Sequence, residues 1–365
     1  MTATIKDIAR EAGVSNATVS LSLSGHPRIS GKTREKVMKV ASRMKYSPNL
    51  SARILRGGGL RAIGFLVNDI TNPFYASMIQ QAERVANEQG YQLIIAESQW
   101  NPRKEIKAIE TLISTRVKGL LVILTEQAPE SVQLLAQTSI PAIAVDTRPP
   151  SFKGTFIGND LIATGRIAAQ HLLEVGCQHP FFLTALPPMQ GFSAFVDLQK
   201  GFIQALKNHS MRFANPPVIP AGLTIEQGAY AFSRIWKDHP QIDGLLCAND
   251  LCALGVIMMA DREGIRIGKD LRVMGVDNLE VSALPRISLT SIRQPYDQIA
   301  QTSTRMLIEH IEQQVPMKKC RPLLPELIVR QSTQPDQKTQ VADAPRTKHK
   351  PPQFPLPIAN HSTEN

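Results

Sequence analysis

The sequence predicts an α/β protein: an N-terminal helix-turn-helix bundle followed by two doubly wound parallel-sheet subdomains. Three observations carry that prediction. From Arg61 onward, short apolar runs (AIGFLV, YQLIIAE, KGLLVIL, PAIAV, then PFFLT, DGLLCA and LRVMGV) alternate with amphipathic stretches such as ASMIQQAERVANEQG. Continuous apolar strands set between helices mean parallel sheets covered on both faces, and there are too many of them for one small sheet. Secondly, residues 1–61 hold twelve Lys/Arg against three acids, so that segment carries +9 of the chain's +10. Such asymmetry points to a polyanionic partner, because a merely solvated face mixes signs. Thirdly, 365 residues at 42% hydrophobic and 20% charged are globular in composition and long enough for two or three cores.

The basic segment reads as three short helices. Ile5 to Ala12 places Ile8, Ala9 and Ala12 on one face and stops at Gly13; Ser15 is a good N-cap for a second helix from Asn16. In that second helix Val19 and Leu23 face the first, which turns Asn16, Ala17, Ser20 and Leu21 outward, while Thr18, Ser20, Ser22 and Ser24 supply short hydroxyls. A third helix, capped at Ser30, adds Val37, Val40 and Met44 to the same small core. A slim helix with hydroxyl donors and a few outward side chains suits a DNA major groove, where Leu21 would meet a thymine methyl.

These stretches, IKDIAREAGVSNATVSLSLSG, ISGKTREKV and YSPNLSARILRGG, resemble the LacI/GalR family of transcription regulators in order and spacing, and the resemblance runs to about residue 332. TVSLSLSG, LRGG and the later PFYA look most similar to its maltose-regulon repressor branch. The resemblance implies that Asn16, Ala17 and Leu21 read bases, and that Thr4, Ser15, Thr18, Ser20, Ser24, Arg28, Ser30, Thr33, Tyr46 and Asn49 contact the DNA backbone. It also implies a hinge helix over residues 49–60 that orders in the minor groove beside that of a second subunit, with Leu55 as a wedge between Arg53 and Arg56. On its own chemistry that stretch reads rather as an ordinary linker, since so short a run of helix formers is marginal in water. The implied organisation is residues 1–48 for DNA binding, 49–60 for the hinge, and two subdomains of the periplasmic-binding-protein type. These span 61–160 (with a return segment, 291–325) and 161–290.

Open sheets of this kind bind ligands beyond the carboxyl ends of their strands. NDITNPFY there offers Asp69, Asn72, Phe74 and Tyr75; IGND offers Asp160; LLCAND offers Leu246, Asn249 and Asp250; MGVDN offers Asp277. Aromatic faces, carboxylates and amides suit a neutral polyhydroxylated or purine-like effector. Any one such residue is more often a helix cap, and Asp160 and Asn249 each precede a helix-like run. Family members commonly place an effector-gripping Arg where this chain has Leu198, in a more apolar setting. Either the effector is less polar, or another group replaces the Arg, or the site has decayed; without a replacement, anionic ligands are disfavoured.

Other classes fit less well. Gly31-Lys32-Thr33 ends like a phosphate loop but has His26 where glycine is required, and GxGxxG, GxSxG and HExxH are missing. Cys177, Cys247, Cys252 and Cys320 lack ligand spacing, so buried thiols are expected and no metal or cofactor. The start MTATIKDIAREAG is charged where an apolar signal core would sit, and no run of about 18 apolar residues occurs. A cytoplasmic location is expected, with double-stranded palindromic DNA, a small-molecule effector and a second copy of the chain as partners. The polar, Pro-rich residues 334–365 read as disordered and carry no Leu heptads, so a dimer is the expected assembly. The rival reading is a cytoplasmic sugar-binding protein without operator specificity.

Overall fold

The computed structural model describes residues 3–23, 26–44, 46, 61–187, 189–209 and 217–334. The hinge with Asn49, Arg53, Leu55 and Arg56, together with Ser24 and residues 335–365, lies outside the described residues.

The N-terminal bundle consists of α1 (Ile5–Ala12), α2 (Asn16–Leu23) and α3 (Gly31–Arg43). Thr4 and Asp7 form a capping box at α1, and Gly13 ends the helix at φ 62°, a left-handed conformation that costs glycine little. Ile8, Ala9 and Ala12 pack against Val19, Val37 and Ala41, with Leu23, Val40 and Met44 at the rim of that core. Ser22, counted among the short hydroxyls of this helix, is buried, and its Oγ donates to the Thr18 carbonyl at 2.7 Å. A short hydroxyl in the last turn of a helix readily turns back on the preceding turn.

The first sheet contains β1 (Ala62–Val67), β2 (Gln92–Glu97), β3 (Leu120–Val122), β4 (Ala142–Asp146) and β5 (Thr155–Gly158), in the order β2-β1-β3-β4-β5 and wholly parallel. Helices α4 (Pro73–Glu88), α5 (Pro102–Ser114) and α6 (Pro129–Gln137) cover it. Every residue of β1 is buried, which is why AIGFLV shows no alternation.

The second sheet contains β6 (Pro180–Thr184), β7 (Val218–Pro220), β8 (Gly244–Cys247), β9 (Arg272–Val276), β10 (Thr290–Arg293) and β11 (Glu326–Ile328), in the order β11-β10-β9-β8-β6-β7. It is parallel except for β11, which runs antiparallel to β10. Its helices are α7 (Leu161–Glu174), α8 (Ser193–Asn208), α9 (Ile225–Asp238) and α10 (Asp250–Arg262). Two helix pairs cross at glycines: a Cβ on Gly165 would lie 2.0 Å from the Leu198 carbonyl oxygen, and one on Gly201 2.0 Å from that of Ile162. Gly228 and Gly255 bring α9 and α10 together in the same way. Backbone meets backbone there, so neither pair can spread without breaking its core.

The return segment begins later than expected. β10 pairs with β9, and Ile292 lies in the second subdomain's core, so the chain crosses back only after Arg293. Helix α11 (Tyr296–Gln313) then packs on the first subdomain through Ile299, Ala300, Leu307 and Ile308. β11 returns to the second sheet, and the Thr333 hydroxyl meets that of Thr290 at 2.7 Å and the ring of His171 at 2.8 Å. The two sheets are therefore joined by three crossings, near Asn159, Gln294 and Leu324. Among the described residues no helix is long and apolar enough to span a membrane. Cys177, Cys247 and Cys252 are buried free thiols, whereas Cys320 is only half-buried.

Candidate functional site

On the N-terminal bundle, Asn16 and Ala17 are exposed, and Ser20 and Leu21 are half-buried on the same side of α2. Three helix starts carry the hydroxyls singled out in the sequence. Thr4 Oγ1 donates to Asp7 at 2.7 Å; Ser15 and Thr18 share a hydrogen bond of 2.9 Å, and Ser30 and Thr33 one of 2.8 Å. Ser15 and Ser30 also accept the N–H of Thr18 and Thr33. These side chains finish the helix N-termini, whose remaining N–H groups and positive dipole ends favour an anion such as phosphate. Arg28 is exposed. Tyr46 packs against the rim of the bundle core.

Between the two larger subdomains lies a narrow cavity of about 70 Å³, at the kind of inter-domain position where small-molecule sites form. Six of the ten sequence candidates line it: Asn72, Phe74 and Tyr75 from the first subdomain, and Leu198, Asn249 and Asp277 from the second. The other four do not, and Asp250 is held behind it by Leu279, Ser282 and Ser291. Asp69 closes a turn by accepting the Thr71 N–H and hydroxyl at 2.8 and 2.6 Å. Asp160 caps α7 by accepting the Ala163 N–H at 2.8 Å. Leu246 points from β8 into the second subdomain's core. For these residues the local structural role takes the side chain. Asn249 does both: it caps α10, donates to the Leu223 carbonyl at 2.9 Å and still borders the cavity.

The structure adds Trp100, Asp146, Phe195 and Gln294 to the walls. Asp146 is the last residue of β4, so the strand-end rule applied to PAIAVD would have found it. Trp100 follows β2 at φ 56°, and nothing in SQWNP signals that conformation. Asp146 (φ 62°) and Asp277 (φ 108°) also have left-handed backbones, so strained non-glycine residues gather at the cavity. An aromatic chain crosses the cleft. Phe74 meets Tyr75 edge-on at 5.2 Å, Tyr75 lies 6.4 Å from Trp100, and Trp100 lies 5.9 Å from Phe192 of the second subdomain. Glu126 beyond β3 accepts the Ser193 N–H at 2.6 Å, tying the uncapped start of α8 to the opposite subdomain.

The electrostatics are acidic. Asp146 is 7% exposed; burial pushes its carboxyl up to about 7, although the Asn159 amide donates to it at 2.9 Å. Asp277 is also raised well above the ordinary carboxylate range, by burial and by the neighbouring Asp250 charge, against a bond of 2.7 Å from Gln294. Burial next to these acids also raises the Tyr75 phenol. Asp250 sits behind the cavity, raised to about 6 by burial while accepting from Leu279 N, Ser282 Oγ and Ser291 Oγ.

Residues 4–49 match the model of bacterial regulatory proteins of the lacI family, and residues 169–333 match the periplasmic binding protein-like domain. The chain is 31% identical over 334 residues to the HTH-type transcriptional repressor PurR of Vibrio vulnificus, covering 90% of this chain and 98% of that protein. It is also 31% identical over 331 residues to the ribose operon repressor of Halalkalibacterium halodurans, covering 90% and 97%. The fold superposes on the lac repressor dimer bound to operator and the anti-inducer ONPF with a TM-score of 0.81 and 24% identity, covering 92% of this chain and all of that one. With full-length relatives at this identity, a matching N-terminal bundle and a matching two-subdomain body, the chain belongs to the LacI family and is a DNA-binding transcriptional regulator.

Proposed function

We propose that the protein is a cytoplasmic, homodimeric repressor that reads a palindromic operator with α2 and releases or grips it according to a small molecule held in the cleft. The observation that carries this reading is the cavity itself: both subdomains furnish its walls, and among the described residues of its lining the buried carboxylates have no cationic partner. Such a site stabilises whichever interdomain arrangement the ligand fits, and a ligand shifts an equilibrium by its differential affinity for the two arrangements. One α2 per chain makes a two-fold site the natural target of a dimer. Asn16, Ala17 and Leu21 would touch bases, and the N-termini capped at Thr4, Ser15 and Ser30 would hold phosphates. The effector is a donor-rich polyol or ring compound and not an anion, because Leu198 stands where a guanidinium would be needed.

The test is operator binding by the purified full-length protein, followed by fluorescence anisotropy while small metabolites are titrated. Sequence-specific binding altered by a cleft ligand is expected. Ligand binding without any duplex preference would favour a sugar-binding protein instead. Asp277→Ala should remove the ligand response and spare operator affinity; an unaltered response would displace the site.

A further inference from the structure

Resting on the reading of the cleft as the effector site, we propose that the effector carries a protonated amine and that Asp146, Asp277 and Gln294 receive it. Among the described residues lining the cavity there is no Lys, Arg or His. Asp146 and Asp277 each accept one hydrogen bond, from Asn159 and Gln294 respectively, which leaves the second oxygen of each without a donor. Gln294 is 7% exposed, lines the cavity, and its Oε1 has no partner. The cavity therefore presents three open acceptors on two sides. An ammonium group has three donors and no acceptor.

Among the described residues, charges on the surrounding elements do not supply the missing cation. Asp250, behind Asp277, adds negative charge. Arg330 is turned away to the Asn278 side chain and the Leu289 carbonyl, both at 2.6 Å. Arg148 lies over the Phe156 ring and donates to the Phe152 carbonyl. Phe74, Tyr75, Trp100 and Phe195 offer ring faces and edges that suit an alkylammonium or the carbon skeleton bearing it. A neutral sugar could donate hydroxyls to the same oxygens but would leave the two buried acids to hold protons, whereas an ammonium compensates their ionised forms. A carboxylate or phosphate would add to the repulsion.

The experiment measures thermal shift and intrinsic Trp fluorescence of the full-length protein with matched probes. These are glucosamine, galactosamine and mannosamine against their parent hexoses and N-acetyl derivatives, with ethylammonium chloride as the minimal cation and sodium chloride as the salt control. At least one amine should stabilise the protein and bind at least about tenfold tighter than its uncharged counterpart. Ethylammonium should bind better at about pH 8 than at about pH 6, because it needs the ionised carboxylates. Asp146→Asn and Asp277→Asn, each checked for folding by its own melting curve, should lose that preference. Absence of binding by every amine probe, or equal binding of the amine and N-acetyl forms, overturns the proposal. A neutral metabolite that binds and alters operator affinity while the amines do nothing would overturn the amine assignment and leave the effector cleft standing. Operator affinity unmoved by either set would overturn both.

Discussion

Replacing Asp146 by asparagine should flatten the loss of stability that this protein suffers as pH rises. The carboxyl is buried at the end of β4 and titrates at about 7 when folded, against an ordinary carboxylate value of 3.8. A raised folded pKa means that the folded state holds a proton the unfolded state has released. Stability therefore falls as pH climbs from about 4 through about 7 and levels off above that. A rise of roughly three pH units, at about 1.36 kcal/mol for each, is a penalty of about 4 kcal/mol when fully developed. Between about pH 5 and about pH 8 the change is about 2.5 kcal/mol by the same linkage. In Asp146→Asn the new amide oxygen would still accept the Asn159 bond, but the side chain would not titrate. Urea unfolding of both proteins at several pH values tests this, because titrating groups remote from Asp146 cancel in the difference and only Asp277 and Tyr75, which feel its charge, shift with it. Curves that run parallel from about pH 5 to about pH 8 would refute the placement of an uncompensated carboxyl in the cleft.

Leu21→Ala should relax preference at one base of each half-site by roughly 1 kcal/mol in a base-by-base operator scan; unchanged preference would remove Leu21 from base reading. Gly201→Ala would drive a Cβ to 2.0 Å from the Ile162 carbonyl oxygen, so chemical denaturation should show a loss of about 1–3 kcal/mol or more. Glu126→Ala deletes the acceptor of the Ser193 N–H across the cleft, and effector affinity should fall by about 1.5 kcal/mol with operator affinity intact. Calorimetry with phosphorylated or carboxylated metabolites should detect no binding past Leu198; tight binding of one would show that another group replaces the guanidinium.

Both sheets and the helical bundle were legible because their signals are local: apolar runs of strand length, helix caps, and glycine stops. β10 was misplaced for the opposite reason. ISLTSIR looks alike whether it joins either sheet, and only its pairing with β9 decides. The cleft was half legible. Phe74, Tyr75 and Asp277 followed from the strand-end rule, but the same rule cannot tell a residue aimed at a ligand from one spent on a cap, as with Asp160, or from its neighbour in the core, as with Leu246. Trp100 and Gln294 reach the cavity through a left-handed backbone and an interdomain crossing, neither of which leaves a periodic mark.

The three crossings near Asn159, Gln294 and Leu324 restrict the kind of motion the body can make. Three tethers side by side resist twist and sideways slip while still allowing the halves to bend toward one another, much as three parallel straps allow a lid to open along one line only. One tether runs through Gln294, which holds Asp277 from its own side chain. A ligand atom taken up at Asp277 would therefore pull on the joint directly, and substitutions in these straps should tune the coupling between cleft and operator while leaving the cavity lining unchanged.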